Sequence, residues 1–262
     1  MFEDYEYFKR EVYALTKIDL NCYKERQMKR RIDSLIQQNK IDSYSEYIRA
    51  IRADKDMFEA FVDYLTINVS EFYRNPELWT VLEKEILPKM IYKNRSLRVW
   101  SAACSTGDEP YSLVMAMNQY LPTSQISIIA TDLDKRVLEK AKCGLYNERS
   151  LKGLPKTYLD RYFYRVGEGN YRISDDVKKC VDFRTHDLLK DPYPSDCDLV
   201  VCRNVMIYFT EEVKDKIYHK FSNCLKKDGF LFVGSTEQII QPRDFGFRTY
   251  QSFFYQKHIE ED

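Results

Sequence analysis

The stretch VWSAACSTGDEPYS, Val99 to Ser112, runs from a short apolar segment (Leu97, Val99, Trp100) into small residues (Ala102, Ala103, Ser105, Thr106, Gly107). Two carboxylates follow, Asp108 and Glu109, then Pro110 and a helical pattern of Tyr111, Leu113, Val114 and Met115. This reads as a strand, a small-residue turn and a helix start. Pro110 suits the first turn of a helix, where its missing N–H leaves no bond unmade. Such a turn brings backbone close to a ligand at the carboxyl end of a strand, as in nucleotide-binding sheets. The acidic pair argues against a phosphate, which prefers bare N–H groups and Lys. It argues for a ligand with a cationic or hydroxyl-rich part. The plainer reading is an ordinary βα connection.

Residues 1 to about 75 read as a helical domain. No Gly or Pro occurs before Pro76, and apolar residues recur at spacings of three and four (Ile32, Leu35, Ile36; Tyr44, Tyr47, Ile48, Ile51; Phe58, Phe61, Val62, Leu65). Asp42 and Ser43 with Glu46 resemble a capping box ahead of a helix from Tyr44. From about residue 97, strand-like runs alternate with helical ones: Leu97–Trp100, Ile126–Thr131, Val181–Arg184, Asp198–Cys202 and Phe230–Gly234. Alternation of this kind predicts βαβ units and a parallel sheet. The expected organisation is a helical domain over 1–75 and an α/β domain over 76–262, with a doubly wound, Rossmann-like sheet. The segment FRTYQSFFYQK near the end has strand propensity and no room for another crossover helix, so it predicts an antiparallel strand added to the sheet. Between roughly residues 150 and 182, Tyr162–Val166 and Tyr171–Ile173 flank the turn residues 167–170. They predict a small antiparallel β insertion.

The 262-residue chain is 44% hydrophobic, enough for a sizeable core, and its 41 Lys and Arg balance 41 Asp and Glu. That balance projects no global field toward nucleic acid or membrane. No apolar run approaches the length of a membrane span. The opening residues MFEDYEYFKR are charged and lack a signal-peptide core. Seven scattered cysteines form no C-x-x-C pair, and read as reduced thiols of the cytoplasm. Only three histidines occur, His186, His219 and His258, far apart in sequence. Neither a His-based metal site nor a Ser-His-Asp triad is expected.

Polar groups fall at the predicted strand ends, where doubly wound sheets bind ligands. Glu109 follows the first strand. Asp132 ends the second, 25 residues after Gly107, a spacing suited to accepting ribose hydroxyls; it equally suits a helix cap. Asp187 follows the strand in VDFRTHD, and Arg203 and Asn204 follow the strand in LVVC. The segment NVSEFYRNP, residues 68–76, carries Asn68, Ser70 and Arg74 around Phe72 and Tyr73, and on its residues alone reads as a helix end with a packed aromatic pair. In CRNVMIYF, residues 202–209, Tyr208 alone reads as core. Lys24 to Arg31, KERQMKRR, puts Arg26, Lys29 and Arg30 on one helical face. That face is either simply solvated or a docking surface for an acidic partner.

Taken together, NVSEFYR, RVWSAACSTGDEPYSLVM, IIATDLDKRVLEKAKCGLY, VDFRTHDLL, CDLVVCRNVMIYF and DGFLFVGSTE resemble the chemotaxis receptor methyltransferases of the CheR type, in the family's order. The helical N-terminal region and the inserted hairpin also match the family layout. The resemblance implies a protein-glutamate O-methyltransferase that uses S-adenosylmethionine, yields S-adenosylhomocysteine, and modifies the cytoplasmic methylation region of chemotaxis receptors. It implies cofactor contacts at Asn68, Ser70, Arg74, Glu109, Asp132, Asp187, Leu188, Arg203 and Asn204. It implies Arg74 and Tyr208 near the transferred methyl. The acidic receptor helices it implies as partners give Arg26, Lys29, Arg30 and Arg31 a docking role. Family members often have Thr at the position of Ser70, which keeps the hydroxyl. They often have Phe at Tyr73 and Glu at Asp108. A cytoplasmic monomer, with no nucleic-acid partner and no insertion into membrane, is expected. Against these stand a cofactor-binding sensor without catalysis, a methyltransferase for small molecules or nucleic acid, and a nicotinamide oxidoreductase. The last lacks its G-x-G-x-x-G.

Overall fold

The computed structural model describes residues 4–258, and the chain divides into two compact units. The first contains residues 1–68 and 205–215. Its helices are α1 (Tyr5–Thr16), α2 (Glu25–Gln38), α3 (Tyr44–Ala53) and α4 (Lys55–Thr66). Ser43 caps α3, its hydroxyl accepting the Glu46 N–H at 3.2 Å, so the capping signal in the sequence is realised. Asp54 caps α4 through the N–H groups of Asp56 and Met57. The three-and-four spacing turns Phe8, Ile32, Ile36, Tyr47 and Phe61 inward, each almost completely buried. Burial of side chains of this size contributes about 1.5–3 kcal/mol apiece. The segment Val205–Asp215 joins this unit by pairing beside α2: the Lys24 N–H donates to the Tyr208 carbonyl at 2.8 Å and the Thr210 N–H to the Cys22 carbonyl at 3.0 Å.

The second unit contains residues 69–204 and 216–262. It opens with α5 (Pro76–Val81), a single π-helical turn (Leu82–Ile86) and α6 (Leu87–Lys93). Then come β1 (Val99–Ala102), α7 (Asp108–Met117), β2 (Ile128–Asp132), α8 (Lys135–Cys143) and β3 (Leu145–Asn147). Next are α9 (Lys156–Tyr162), β4 (Phe163–Arg165), β5 (Asn170–Ile173), α10 (Asp175–Lys178), β6 (Val181–Thr185) and β7 (Cys197–Cys202). The chain finishes with α11 (Glu211–Cys224), which begins in the first unit, β8 (Leu225–Val233), β9 (Phe247–Gln251) and β10 (Phe254–Lys257).

Seven strands form one sheet in the order β6-β2-β1-β7-β8-β10-β9. The first five are parallel, with Val99 opposite both Ile128 and Leu199. The inner strands β1, β2 and β7 are buried almost throughout, which is why they read as mainly apolar runs, whereas the edge strand β6, VDFRT, is partly exposed and alternates. The doubly wound expectation therefore holds. The end of the chain supplies an antiparallel hairpin, β9 and β10, rather than the single strand expected. Its turn passes through Phe253 at a φ of 68°, a non-glycine turn that leaves no signal in sequence. The small second sheet is antiparallel in the order β3-β5-β4. The 163–173 hairpin matches the predicted one, and Leu145–Asn147 adds a strand ahead of the expected insertion. No described helix is long and apolar enough to cross a membrane.

Candidate cofactor site

The turn after β1 is held in a conformation its residues do not favour. Ala103 and Ser105 have φ of 63° and 48°, in the left-handed region that costs an L-residue about 1–2 kcal/mol. Three hydrogen bonds hold it there. The Cys104 N–H donates to the Thr131 carbonyl at 2.9 Å and the Gly107 N–H to the Cys104 carbonyl at 3.1 Å. The Ser105 N–H donates to Asp132 Oδ2 at 2.8 Å. Gly107, at φ 89°, closes the turn, and a Cβ there would sit 2.9 Å from that of Ala141, so only glycine fits.

Asp132 therefore braces the turn instead of capping a helix. Its other oxygen accepts the Asp134 N–H at 3.0 Å, and Asp134 itself caps α8 through the Arg136 N–H. Of the two sequence readings of Asp132, the cap belongs to Asp134. At the end of β6, Asp187 accepts the Leu189 N–H at 2.8 Å and Leu188 is buried.

Glu109 stands at the start of α7 and accepts the Ser101 hydroxyl at 2.8 Å. Arg203 Nη1 lies 3.9 Å from Glu109 Oε2, both side chains largely buried. Burial pushes the Glu109 carboxyl up to about 7 against the opposing pull of Arg203. Burial also pushes Asp108 and Asp132 above the usual carboxylate range. The same burial lowers Arg203, with Glu109 resisting. Three carboxyl groups whose charged forms are disfavoured by burial gain from a nearby cation.

The segment 69–75 forms a second wall. Tyr73 and Asn75 have φ of 53° and 59°. Arg203 Nη2 donates to the Arg74 carbonyl at 2.7 Å and to Asn75 Oδ1 at 3.1 Å, and the Trp79 indole donates to the same carbonyl at 3.1 Å. The Arg74 side chain is half-buried. Ser70 hydrogen-bonds the Asp108 carboxylate, which also accepts the Thr106 hydroxyl at 2.5 Å. Phe72 and Tyr73 are both buried, but rather than packing as one pair, Phe72 meets Tyr146 and Phe163 and Tyr73 meets Trp79 and Tyr158.

Asn204, at φ 61°, is fixed by Glu237, a residue the sequence reading passed over. Glu237 Oε2 accepts the N–H groups of Asn204 and Gly234 at 2.6 and 2.8 Å. A Cβ on Gly234 would approach that oxygen to 2.4 Å, so the GSTE spacing in DGFLFVGSTE was the available signal.

The second unit thus gathers Ser70, Arg74, Glu109, Asp132, Arg203 and Asn204, with Asp187 and Leu188 at the neighbouring strand end. Asn68 and Tyr208 belong to the first unit. There Asn68 Nδ2 donates to the Thr66 hydroxyl at 3.0 Å, and Tyr208, half-buried, ends a 3-10 turn, Met206–Tyr208. On α2, Arg26 and Arg30 are exposed. Lys29 bonds the Tyr44 hydroxyl at 2.9 Å, and Arg31 donates to the Tyr64 carbonyl at 2.8 Å.

Two family models cover the chain: the CheR methyltransferase SAM binding domain matches residues 68–254, and the CheR methyltransferase all-alpha domain matches residues 3–66. The chain belongs to the CheR methyltransferase family. It is 43% identical to a chemotaxis protein methyltransferase of Listeria innocua and 44% identical to one of Listeria monocytogenes, over 97% of each chain. It is 36% identical to chemotaxis protein methyltransferase 1 of Pseudomonas aeruginosa, over 90% of each. Among solved structures, a TehB-like SAM-dependent methyltransferase of Corynebacterium glutamicum is a remote likeness. It is 15% identical, spans 70% of this chain and 93% of its own, and has a TM-score of 0.38.

The cofactor of a CheR methyltransferase is S-adenosylmethionine, and the second unit has a place suited to it. Ser105 Oγ, Asp108 Oδ1 and Arg203 Nε are buried without a hydrogen-bond partner. Buried polar atoms of this kind are normally satisfied; these three, of eight such atoms among the described residues, lie at the turn and the strand ends and fit a polar ligand there.

Proposed function

We propose that this CheR methyltransferase methylates glutamate side chains of chemotaxis receptors, forming methyl esters and S-adenosylhomocysteine. The observation that carries the reading is the carboxylate-walled turn, with unpartnered buried polar atoms, beside a segment bearing Arg74. When bound, S-adenosylmethionine supplies a sulfonium methyl already activated for in-line displacement. A glutamate carboxylate has an ordinary pKa near ~4.3 and is ionised at neutral pH, so it needs no general base. The chain's task is therefore alignment, which supplies at most roughly 7–11 kcal/mol of a barrier.

In this reading Asp132 accepts the ribose hydroxyls, and Asp187 and Leu188 hold the adenine. Glu109, with Ser70, Arg203 and Asn204, balances the methionine end, and Asn68 completes the cofactor contacts. Arg74 pairs with the incoming or the cofactor carboxylate. Tyr208 walls the methyl and donates its hydroxyl toward the substrate oxygen.

The partner is the acidic cytoplasmic methylation region of a receptor, which makes the protein a cytoplasmic one. Arg26 and Arg30, exposed on a groove of about 460 Å³ with Lys29, Asp33, Ser34 and Gln37, guide docking. Charge pairing of this sort weakens with salt. The deciding experiment is labelled methyl transfer to receptor cytoplasmic fragments with mapping of the modified residues. Alkali-labile label on glutamates supports the reading, and label confined to other side chains refutes it.

A further inference from the structure

Three tyrosines from three parts of the second unit converge on one glutamate outside the cofactor site. Glu83 lies in the π-helical turn between α5 and α6, a local distortion frequent at functional sites. Its Oε1 accepts the Tyr73 hydroxyl at 2.5 Å and the Tyr158 hydroxyl at 2.9 Å. Its main-chain carbonyl accepts the Tyr120 hydroxyl at 2.7 Å. Tyr73 is 3% exposed, its ring 4.8 Å from that of Trp79 and 5.4 Å from that of Tyr158. Burial first, and Glu83 second, keep the Tyr73 hydroxyl protonated, so it stays a donor.

Tyr73 immediately precedes Arg74 and holds a left-handed backbone that an aromatic residue does not adopt unaided. Its N–H is bound to the Ser112 hydroxyl at 3.3 Å, which fixes the main chain at one point. The bond from its hydroxyl to Glu83 fixes the other end of the same residue.

We infer that Glu83 is a positioning residue: by anchoring Tyr73 it sets the backbone from which Arg74 extends. The inference rests on the role proposed above for Arg74. Tyr158, on α9, reaches the same carboxylate oxygen from another element, its ring packed 5.4 Å from that of Tyr73, and so serves as the comparison. Ring substitutions at Tyr73 and Tyr158 remove chemically identical hydroxyls from one acceptor. A route through Tyr73 makes their consequences unequal.

The test combines hydrogen exchange on the cofactor-free protein with kcat/KM for labelled methyl transfer to receptor fragments. Glu83→Ala and Tyr73→Phe should each speed exchange in a peptide covering residues 70–77 about tenfold, leave β1 and β2 unchanged, and lower kcat/KM about tenfold. Tyr158→Phe should change kcat/KM by less than twofold. In an Arg74→Ala background, Glu83→Ala should add nothing. Equal losses in the wild-type and Arg74→Ala backgrounds would make Glu83 a structural prop and overturn the inference alone. Equal effects of Tyr73→Phe and Tyr158→Phe, or unchanged exchange at 70–77, would do the same. Wild-type kcat/KM for Arg74→Ala would instead overturn the role of Arg74, and this inference with it.

Discussion

The turn 103–107 and the segment 69–75 both force non-glycine residues into left-handed backbone, and they are held by different means. The turn is held from the sheet: its amides reach the Thr131 carbonyl and the Asp132 carboxylate at the end of β2. The segment has one backbone tie, from the Phe72 N–H to the Ser150 carbonyl at 3.2 Å, and is otherwise held by side chains from scattered elements, namely Arg203, Trp79, Ser112 and Glu83. A turn tied to a strand end inherits the rigidity of the sheet. A segment tied by side chains depends on each of them, and can be loosened by changing one.

The largest effect expected of this difference is at Arg203. Arg203→Ala leaves Glu109 buried without its ion partner and removes one of the two donors to the Arg74 carbonyl. It should cost about 3–5 kcal/mol of stability, the range for breaking a buried pair, by urea denaturation. A loss under about 1 kcal/mol would mean that the segment is not held from Arg203.

Next is Asp132. Asp132→Ala strips the Ser105 N–H of its acceptor and removes the proposed ribose contact. S-adenosylhomocysteine should bind at least about a hundredfold more weakly, equivalent to ~2.7 kcal/mol, by calorimetry. Binding within tenfold of wild type would show a turn that keeps its shape without Asp132.

A smaller, pH-dependent effect belongs to Glu109, which faces Arg203, Arg74 and Glu237. Its carboxyl is raised to about 7, so the cofactor-free fold binds this proton more tightly than the unfolded chain does. The stability it contributes is full below the ordinary value near 4.5 and is lost as pH rises to about 7. A cationic ligand prefers the ionised form, so affinity for S-adenosylmethionine should fall as pH drops below about 7. Glu109→Gln should flatten both profiles, in thermal melts and in calorimetry.

The smallest effect tests the turn itself. Ala103→Gly relieves left-handed strain and adds unfolded-state freedom, terms of similar size, so stability should move by less than about 1 kcal/mol. A larger loss would give the Ala103 methyl a packing role.

How much was legible follows from the same contrast. The inner parallel strands announced themselves because strands buried on both faces are mainly apolar runs, and Glu109, Asp132, Arg203 and Asn204 followed from their ends. Asp132 stayed ambiguous because a carboxylate after a strand serves a cap and a turn equally well; only the position of Asp134 separates them. Glu83 was not legible: it accepts hydroxyls as far as 75 residues away and leaves no local pattern. For Glu237 the GSTE spacing showed the near bond to Gly234, but not the one to Asn204, 33 residues away. The roles of Lys29 and Arg31 were hidden likewise, since helical spacing groups the charges of α2 but does not reveal that Tyr44 and Tyr64 engage two of them.

The helical unit takes residues 205–215 from the midst of the chain that builds the sheet, just after Asn204. It is therefore not a detachable cassette. A fragment ending at residue 68 would leave the Cys22 carbonyl and the Lys24 N–H without the partners they have at Thr210 and Tyr208. Exchanging this unit between relatives means exchanging two separate segments of the gene, the second of them starting directly after Asn204.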